Sequence, residues 1–215
     1  MSIEILFIIV ILILSIVVHE VAHGYAANML GDPTARMAGR LTLNPLKNID
    51  LVGSIIIPGL LILSSSPFLF GYAKPVPYNP YNLRKYSWAQ KWGEAVVAAA
   101  GPGVNILIAV IFGLIIRFGV AYDFVTPAFV EIGMVLVFIN ILLAVLNMIP
   151  IPPLDGSKVL GSLLPLSLSQ SYTRLRVTLE SNIFLAFGLV IFFILFFGNA
   201  FISFVSYLSL LIVGF

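Results

Sequence analysis

Four stretches of this 215-residue chain are apolar over about the length a bilayer demands. A helix that crosses the hydrocarbon core needs roughly 20 such residues. Residues 3–30, 95–116 and 128–149 each supply one, and 182–215 is long enough for two helices broken near Gly198-Asn199. A fifth run, residues 51–63, is short and contains Pro58-Gly59. That length suits a re-entrant or interfacial segment better than a span. The fold class expected is an all-α polytopic membrane protein with about five to six hydrophobic segments. A short re-entrant or extended segment separates its first and second full spans.

Only 9% of the residues are charged and 60% are hydrophobic, against about 25% charged in a soluble domain. Such a chain cannot cover a water-facing surface, so its first partner is the lipid bilayer. A net charge of +2 gives no reason to expect nucleic acid. The absence of cysteine removes disulfides and thiolate metal ligands. The N-terminal run has no basic n-region and no small-residue cleavage site, so it reads as a retained span. One membrane-embedded domain over residues 1–215 is expected, with a catalytic core at about 3–160 and C-terminal helices at 182–215.

Charge decides the orientation. If residues 51–63 do not cross, then Arg36, Arg40, Lys47, Lys74, Arg84, Lys85 and Lys91 share one side, and Lys158, Arg174 and Arg176 join them. Arg117 alone lies opposite. The positive-inside rule makes the crowded side cytoplasmic. The protein is then multi-pass, in the cell membrane.

Within the first span stands His19-Glu20-Val21-Ala22-His23, which holds both histidines of the chain. Residues four apart share a helix face. Both imidazoles can therefore reach one metal ion, while Glu20 lies close enough to a metal-activated water to take its proton. Residues 3–18 rise about 24 Å at 1.5 Å each, which leaves His19 inside a core about 30 Å thick. Ionisable groups there cost on the order of 2.5–3.5 kcal/mol each and need a shared partner. One zinc ion supplies it; a hydrogen-bonded cluster without metal is the plainer alternative. Gly24 and Ala22, Ala26 and Ala27 permit close approach of another part of the chain, as generic helix packing also would.

A catalytic zinc takes three protein ligands and leaves one position open. Here the third must be a carboxylate or a weaker donor. Glu4, Asp123 and Glu131 lie toward the opposite face. Asp32 and Asp50 flank a basic loop and read as solvated. Glu94 and Glu180 read as residues at helix starts, where the dipole favours acids. Asp155 closes "NMIPIPPLDG", whose three prolines unwind the chain directly after a span. It would hang at the depth of the histidine pair. The competing reading is an ordinary turn aspartate before glycine.

"HEVAHG", "AAGPGVN" (residues 99–105) and "NMIPIPPLDG" follow one another in the order seen in site-2 proteases, and between residues 19 and 156 the chain resembles that family. It resembles the compact members, which lack a PDZ or CBS domain. The resemblance implies a zinc-dependent intramembrane endopeptidase that hydrolyses transmembrane protein substrates. His19, His23 and Asp155 would be its metal ligands and Glu20 its general base. The stretch between the first two motifs, residues 51–92, leaves open how substrate enters.

Gly101-Pro102-Gly103 is expected to interrupt the second span. Asn105 would then satisfy freed backbone groups or, by the resemblance, hold the substrate or its oxyanion. Asn140 and Asn147 share a face of the third span. Interhelical glue is the ordinary role of such residues, and by the resemblance both frame the site. The Pro- and Tyr-rich stretch 72–86 reads as an interfacial loop, with β-addition to an unwound substrate as the sharper alternative. The aromatic tail reads as a lipid-facing helix. Two rival functions use the same residues: a metal-binding membrane transporter, and a non-cleaving relative that binds transmembrane segments. The first needs polar residues across the whole membrane thickness, and the second has no use for Glu20.

Overall fold

The computed structural model describes residues 3–48 and 74–214. The short apolar segment expected at 51–63 lies outside these residues, as does Asp50. Six helices carry the described fold: α1 (Ile3–Met29), α2 (Ala89–Ala121), α3 (Pro127–Asn147), α4 (Asp155–Leu163), α5 (Leu166–Glu180) and α6 (Ile183–Val213). Single turns at Thr34–Met37, Pro45–Asn48 and Pro80–Asn82 punctuate the segment between α1 and α2. Four helices, α1, α2, α3 and α6, are long and apolar enough to cross a membrane, and there is no strand among the described residues.

Local chemistry sets the helix ends. Thr126 caps α3 by accepting from the Phe129 N–H at 3.2 Å, with Pro127 at the first helical position. Asn182 caps α6 by accepting from the N–H groups of Phe184 and Leu185. Gly214 ends α6 at φ +90°, a left-handed conformation that glycine adopts without a Cβ penalty.

Two sequence expectations change here. α2 is not interrupted at Gly101-Pro102-Gly103; it runs on through Pro102 for 33 residues. A proline removes one backbone hydrogen bond, and neighbouring groups in a membrane bundle can absorb that loss. The tail is one helix of 31 residues, not two. It begins after α5, which is tied to the start of α2 by an ion pair at 2.6 Å between Arg176 Nη2 and Glu94 Oε1. It ends where Gly214 meets Arg117, at the far end of α2. A hairpin at Gly198-Asn199 would have returned the chain to its starting side. Glycine inside a helix costs only about 1 kcal/mol, too little to force that turn.

The core has two apolar centres. Ala109, Ile116, Val137, Ile141, Val205 and Val213 pack α2, α3 and α6 toward the Arg117 end. Ala27, Leu30, Leu83, Ala89 and Val97 join the end of α1 to the start of α2. By contrast, Ile5 to Val10 are all exposed, as are Phe192, Phe196 and Phe197 of α6. Helices apolar on every side suit hydrocarbon as their solvent.

Candidate metal centre

Between the two apolar centres lies a polar layer. His19 and His23 sit one turn apart on α1 with ring centroids 4.7 Å apart. Asp155 is the first residue of α4, and its Oδ2 lies 3.2 Å from His19 Nε2 and 3.1 Å from His23 Nε2. All three residues are buried. The sequence reading hung Asp155 from an extended strand. Residues 148–154 instead form a run of turns and bends, Leu154 caps α4, and the carboxylate occupies the helix N-terminus that suits a negative charge. Gly156 lets this corner fold back, since a Cβ there would stand 2.2 Å from Met148 O. Burial alone would raise the Asp155 carboxyl pKa. Hydrogen bonding to His19 and His23 and the charges of His23 and Lys158 outweigh it and hold it well below the usual carboxylate range.

The outer nitrogens fix the imidazoles. His19 Nδ1 donates to Asn105 Oδ1 at 2.8 Å, and His23 Nδ1 donates to the Val97 carbonyl at 2.7 Å. With Nδ1 protonated, each neutral ring offers a lone pair at Nε2. Without a metal, protons on Nε2 bridge to Asp155 Oδ2; with both rings neutral, as metal binding requires, two lone pairs and the carboxylate oxygen face one another. The three atoms lie within 4.8 Å of one another. Two nitrogens and one hard oxygen are a donor set that fits zinc with a position left open. α2 makes room for the rings at Gly101, where a Cβ would come 2.5 Å from both Nε2 atoms.

A cavity of about 210 Å³ opens beside the cluster, lined by Glu20, Tyr78, Asn147 and Lys158 as well as the three candidate ligands. Glu20 Oε2 accepts from the Val76 N–H at 3.0 Å. Val76 belongs to an extended stretch pinned at two further points. Arg40 Nη2 donates to Lys74 O at 2.8 Å, and Asp32 Oδ2 accepts from the Asn79 N–H at 2.6 Å. Gly24 does admit a close neighbour, but the neighbours are the side chains of Leu41, Val76 and Ala35, not a second span.

The three asparagines separate. Asn105 and Asn140 are completely buried and form a chain: Asn105 Nδ2 donates to Asn140 Oδ1 at 3.0 Å, and Asn140 Nδ2 to Ser15 Oγ at 3.0 Å. They connect α1, α2 and α3 behind His19 and do not line the cavity. Asn147 does line it, with Nδ2 turned back to Leu143 O at 2.9 Å. Asp32, read as solvated, is completely buried and accepts from Thr34, Asn79 and Asn82. Glu180 ends α5 rather than starting a span. Sequence reasoning missed Ser15, Tyr78 and Lys158. A signal existed for two of them: Ser15 precedes His19 by four residues, and Lys158 follows Asp155 by three. Toward Arg117 most of the buried side chains among the described residues are apolar, with Ala109, Ile116, Val137 and Val205, and the buried Ser209 there turns its hydroxyl to Val205 O.

Comparisons with known proteins give the chain a family. The family model described as peptidase family M50 matches residues 7–131 and 123–195. A Bacillus subtilis protein named "Putative zinc metalloprotease YwhC" is 31% identical over 195 residues, covering 88% of this chain and 80% of that one. Proteins with the same description and the name Rip2 are 31% identical over 147 residues in Mycolicibacterium smegmatis and 28% over 145 in Mycobacterium tuberculosis. Each match takes in 67% of this chain and 52% of the Rip2 protein, so the chain spans about half their length. No solved structure matches.

Proposed function

The chain belongs to peptidase family M50 and is a multi-pass membrane zinc metalloprotease, and from that premise we propose that residues 1–215 act as one intramembrane endopeptidase domain on transmembrane protein substrates. The observation that carries this reading is the meeting of His19 Nε2, His23 Nε2 and Asp155 Oδ2 at one point beside Glu20. These three atoms would hold the ion. Bound there, zinc supplies a Lewis acid that polarises a carbonyl and lowers the pKa of water to about 7.

The chain's own residues supply the rest. Asn105 and Val97 hold the Nδ1 protons of the two histidines and so keep the Nε2 lone pairs turned inward. Val76 N–H holds Glu20 Oε2 and so orients the carboxylate along the cavity. Glu20 takes a proton from the attacking water and delivers it to the leaving amide nitrogen. The polar layer excludes bulk water on the Arg117 side through its apolar neighbours, so water and product use the basic side. By the positive-inside rule that side is cytoplasmic. A transmembrane substrate has to unwind locally, because an intact helix keeps its amides in hydrogen bonds.

Metal analysis beside cleavage of a labelled model transmembrane peptide tests this. Wild type should carry one zinc per chain, Asp155→Ala should lose it, and Glu20→Gln should keep it while cleavage falls by about 10²–10⁴. Full zinc in Asp155→Ala, or normal cleavage by Glu20→Gln, would end the reading.

A further inference from the structure

We propose that Lys158 is a catalytic residue whose ammonium group stabilises the substrate carbonyl oxygen as it becomes an oxyanion, a role that rests on the peptidase reading above. Attack of water on the scissile carbonyl carbon forms a C–O bond and moves the carbonyl π pair onto oxygen. The proton goes to Glu20, and collapse of the oxyanion breaks the C–N bond as that proton passes to nitrogen. Between those two events the site must hold a negative oxygen, and a preorganised donor there is worth several kcal/mol in such reactions.

Two of the three asparagines nominated for this task are committed elsewhere. Asn105 is used at both ends, by His19 and Asn140. Asn140 is engaged by Ser15 and by Leu136 O, away from the cavity. Asn147 lines the cavity but is a neutral donor with one of its two amide hydrogens already on Leu143 O. Lys158 lines the same cavity as His19, Glu20 and His23. Its Nζ stands 3.4 Å from Asp155 Oδ1, on the opposite oxygen from the one that meets the imidazoles. The ammonium also lies 5.7 Å from the centre of the Tyr78 ring, within reach of its π face.

This position is electrostatically wrong for a lysine that serves only the fold. Lys158 is in the first turn of α4, where the helix dipole is positive and cations are disfavoured. The cluster beside it is built for a dication. Asp155 turns Oδ2 to the two imidazoles, and Lys158 meets only Oδ1, on the side away from them. Residues that break a local rule in this way concentrate at functional sites.

The test uses the full-length, zinc-loaded protein in detergent and two inhibitory probes on one apolar peptide. A phosphinic peptide carries the tetrahedral anion; a hydroxamate-capped peptide of the same sequence reports zinc binding alone. Lys158→Met should bind the hydroxamate and zinc within about threefold of wild type but the phosphinic peptide on the order of 10²-fold more weakly. Its kcat on the model transmembrane peptide should fall by a similar factor with KM little changed. Lys158→Arg should recover at least tenfold, and Arg174→Met, an exposed cation lost from α5, should match wild type. If Lys158→Met does not fold, Lys158→Gln carries the same comparison. Parallel loss of both probes or of zinc would reduce Lys158 to an orienter of Asp155, and loss of neither would leave it no role; both overturn the proposal. A wild type that binds zinc but neither probe, and cleaves nothing, sinks the peptidase reading itself and this proposal with it.

Discussion

His19 Nδ1 lies 2.8 Å from Asn105 Oδ1, and this contact joins the metal centre to a buried polar chain that ends at Ser15 on the same helix as His19. α1 therefore meets α2 and α3 through one continuous set of hydrogen bonds. On the proposed reading, Asn105 acts on metal affinity by holding His19 rather than by binding substrate.

Replacing Asn105 by leucine removes the acceptor for His19 Nδ1 and frees the ring to turn or change tautomer. Zinc affinity should drop about 10- to 100-fold, as for other lost outer partners of metal-bound histidines. Competition with a chromogenic chelator measures it. Unchanged affinity with reduced cleavage would instead return Asn105 to the oxyanion role that the sequence first offered.

Gly101 and Gly103 make a matched pair. A methyl on Gly101 collides with both Nε2 atoms, whereas a methyl on Gly103 meets nothing within 4 Å. Gly101→Ala should abolish stoichiometric zinc binding. Gly103→Ala should keep it and, with less backbone entropy to lose, gain roughly 0.5–1 kcal/mol. Metal content and thermal unfolding in detergent separate the two.

Asp32 gives the fold an acid-sensitive joint. Burial raises its carboxyl pKa, but hydrogen bonds from Thr34, Asn82 and Asn79 outweigh this and hold it below the ordinary carboxylate value. Its contribution is therefore full above the unfolded pKa of about 3.9 and is lost as pH falls through the lower folded value. Asp32→Asn sets an amide NH₂ against one of these donors and should cost about 1–3 kcal/mol at neutral pH. The variant's stability should also change less than that of wild type between about pH 5 and 3, followed by thermal unfolding across that range.

The lack of cysteine makes sidedness directly measurable. Met37 and Tyr122 are 82% and 76% exposed, beyond opposite ends of the bundle. Met37→Cys should react with an impermeant maleimide only from the cytoplasmic face and Tyr122→Cys only from the other. Labelling of both from one side would contradict the four-span topology.

Much of the site was written in one dimension. The four-residue interval of His19 and His23 needs only a helix to bring the rings together, and hydrocarbon on both sides of them leaves few uses for an ionisable pair. Asp155 could be chosen because span counting returns it to the same side. Among the described residues the long apolar runs coincide with four helices long enough to cross, except that the break expected at Gly198-Asn199 does not occur, because a weak helix breaker does not fix its own outcome.

What the sequence determined by itself was therefore periodic or local: the apolar spans and the shared helix face of His19 and His23. Tertiary structure alone decided what each polar side chain faces. Asp32 and Asp155 are both aspartates near a turn after an apolar span, yet one ties a loop together and the other completes the candidate metal centre. Asn105 and Asn147 differ in the same way. Propensity and hydropathy follow residues a few places apart on one helix. Partners 136 residues apart, as His19 and Asp155 are, are brought together only when three helices pack, and that packing depends on small residues such as Gly101 whose importance lies in the atoms they leave out.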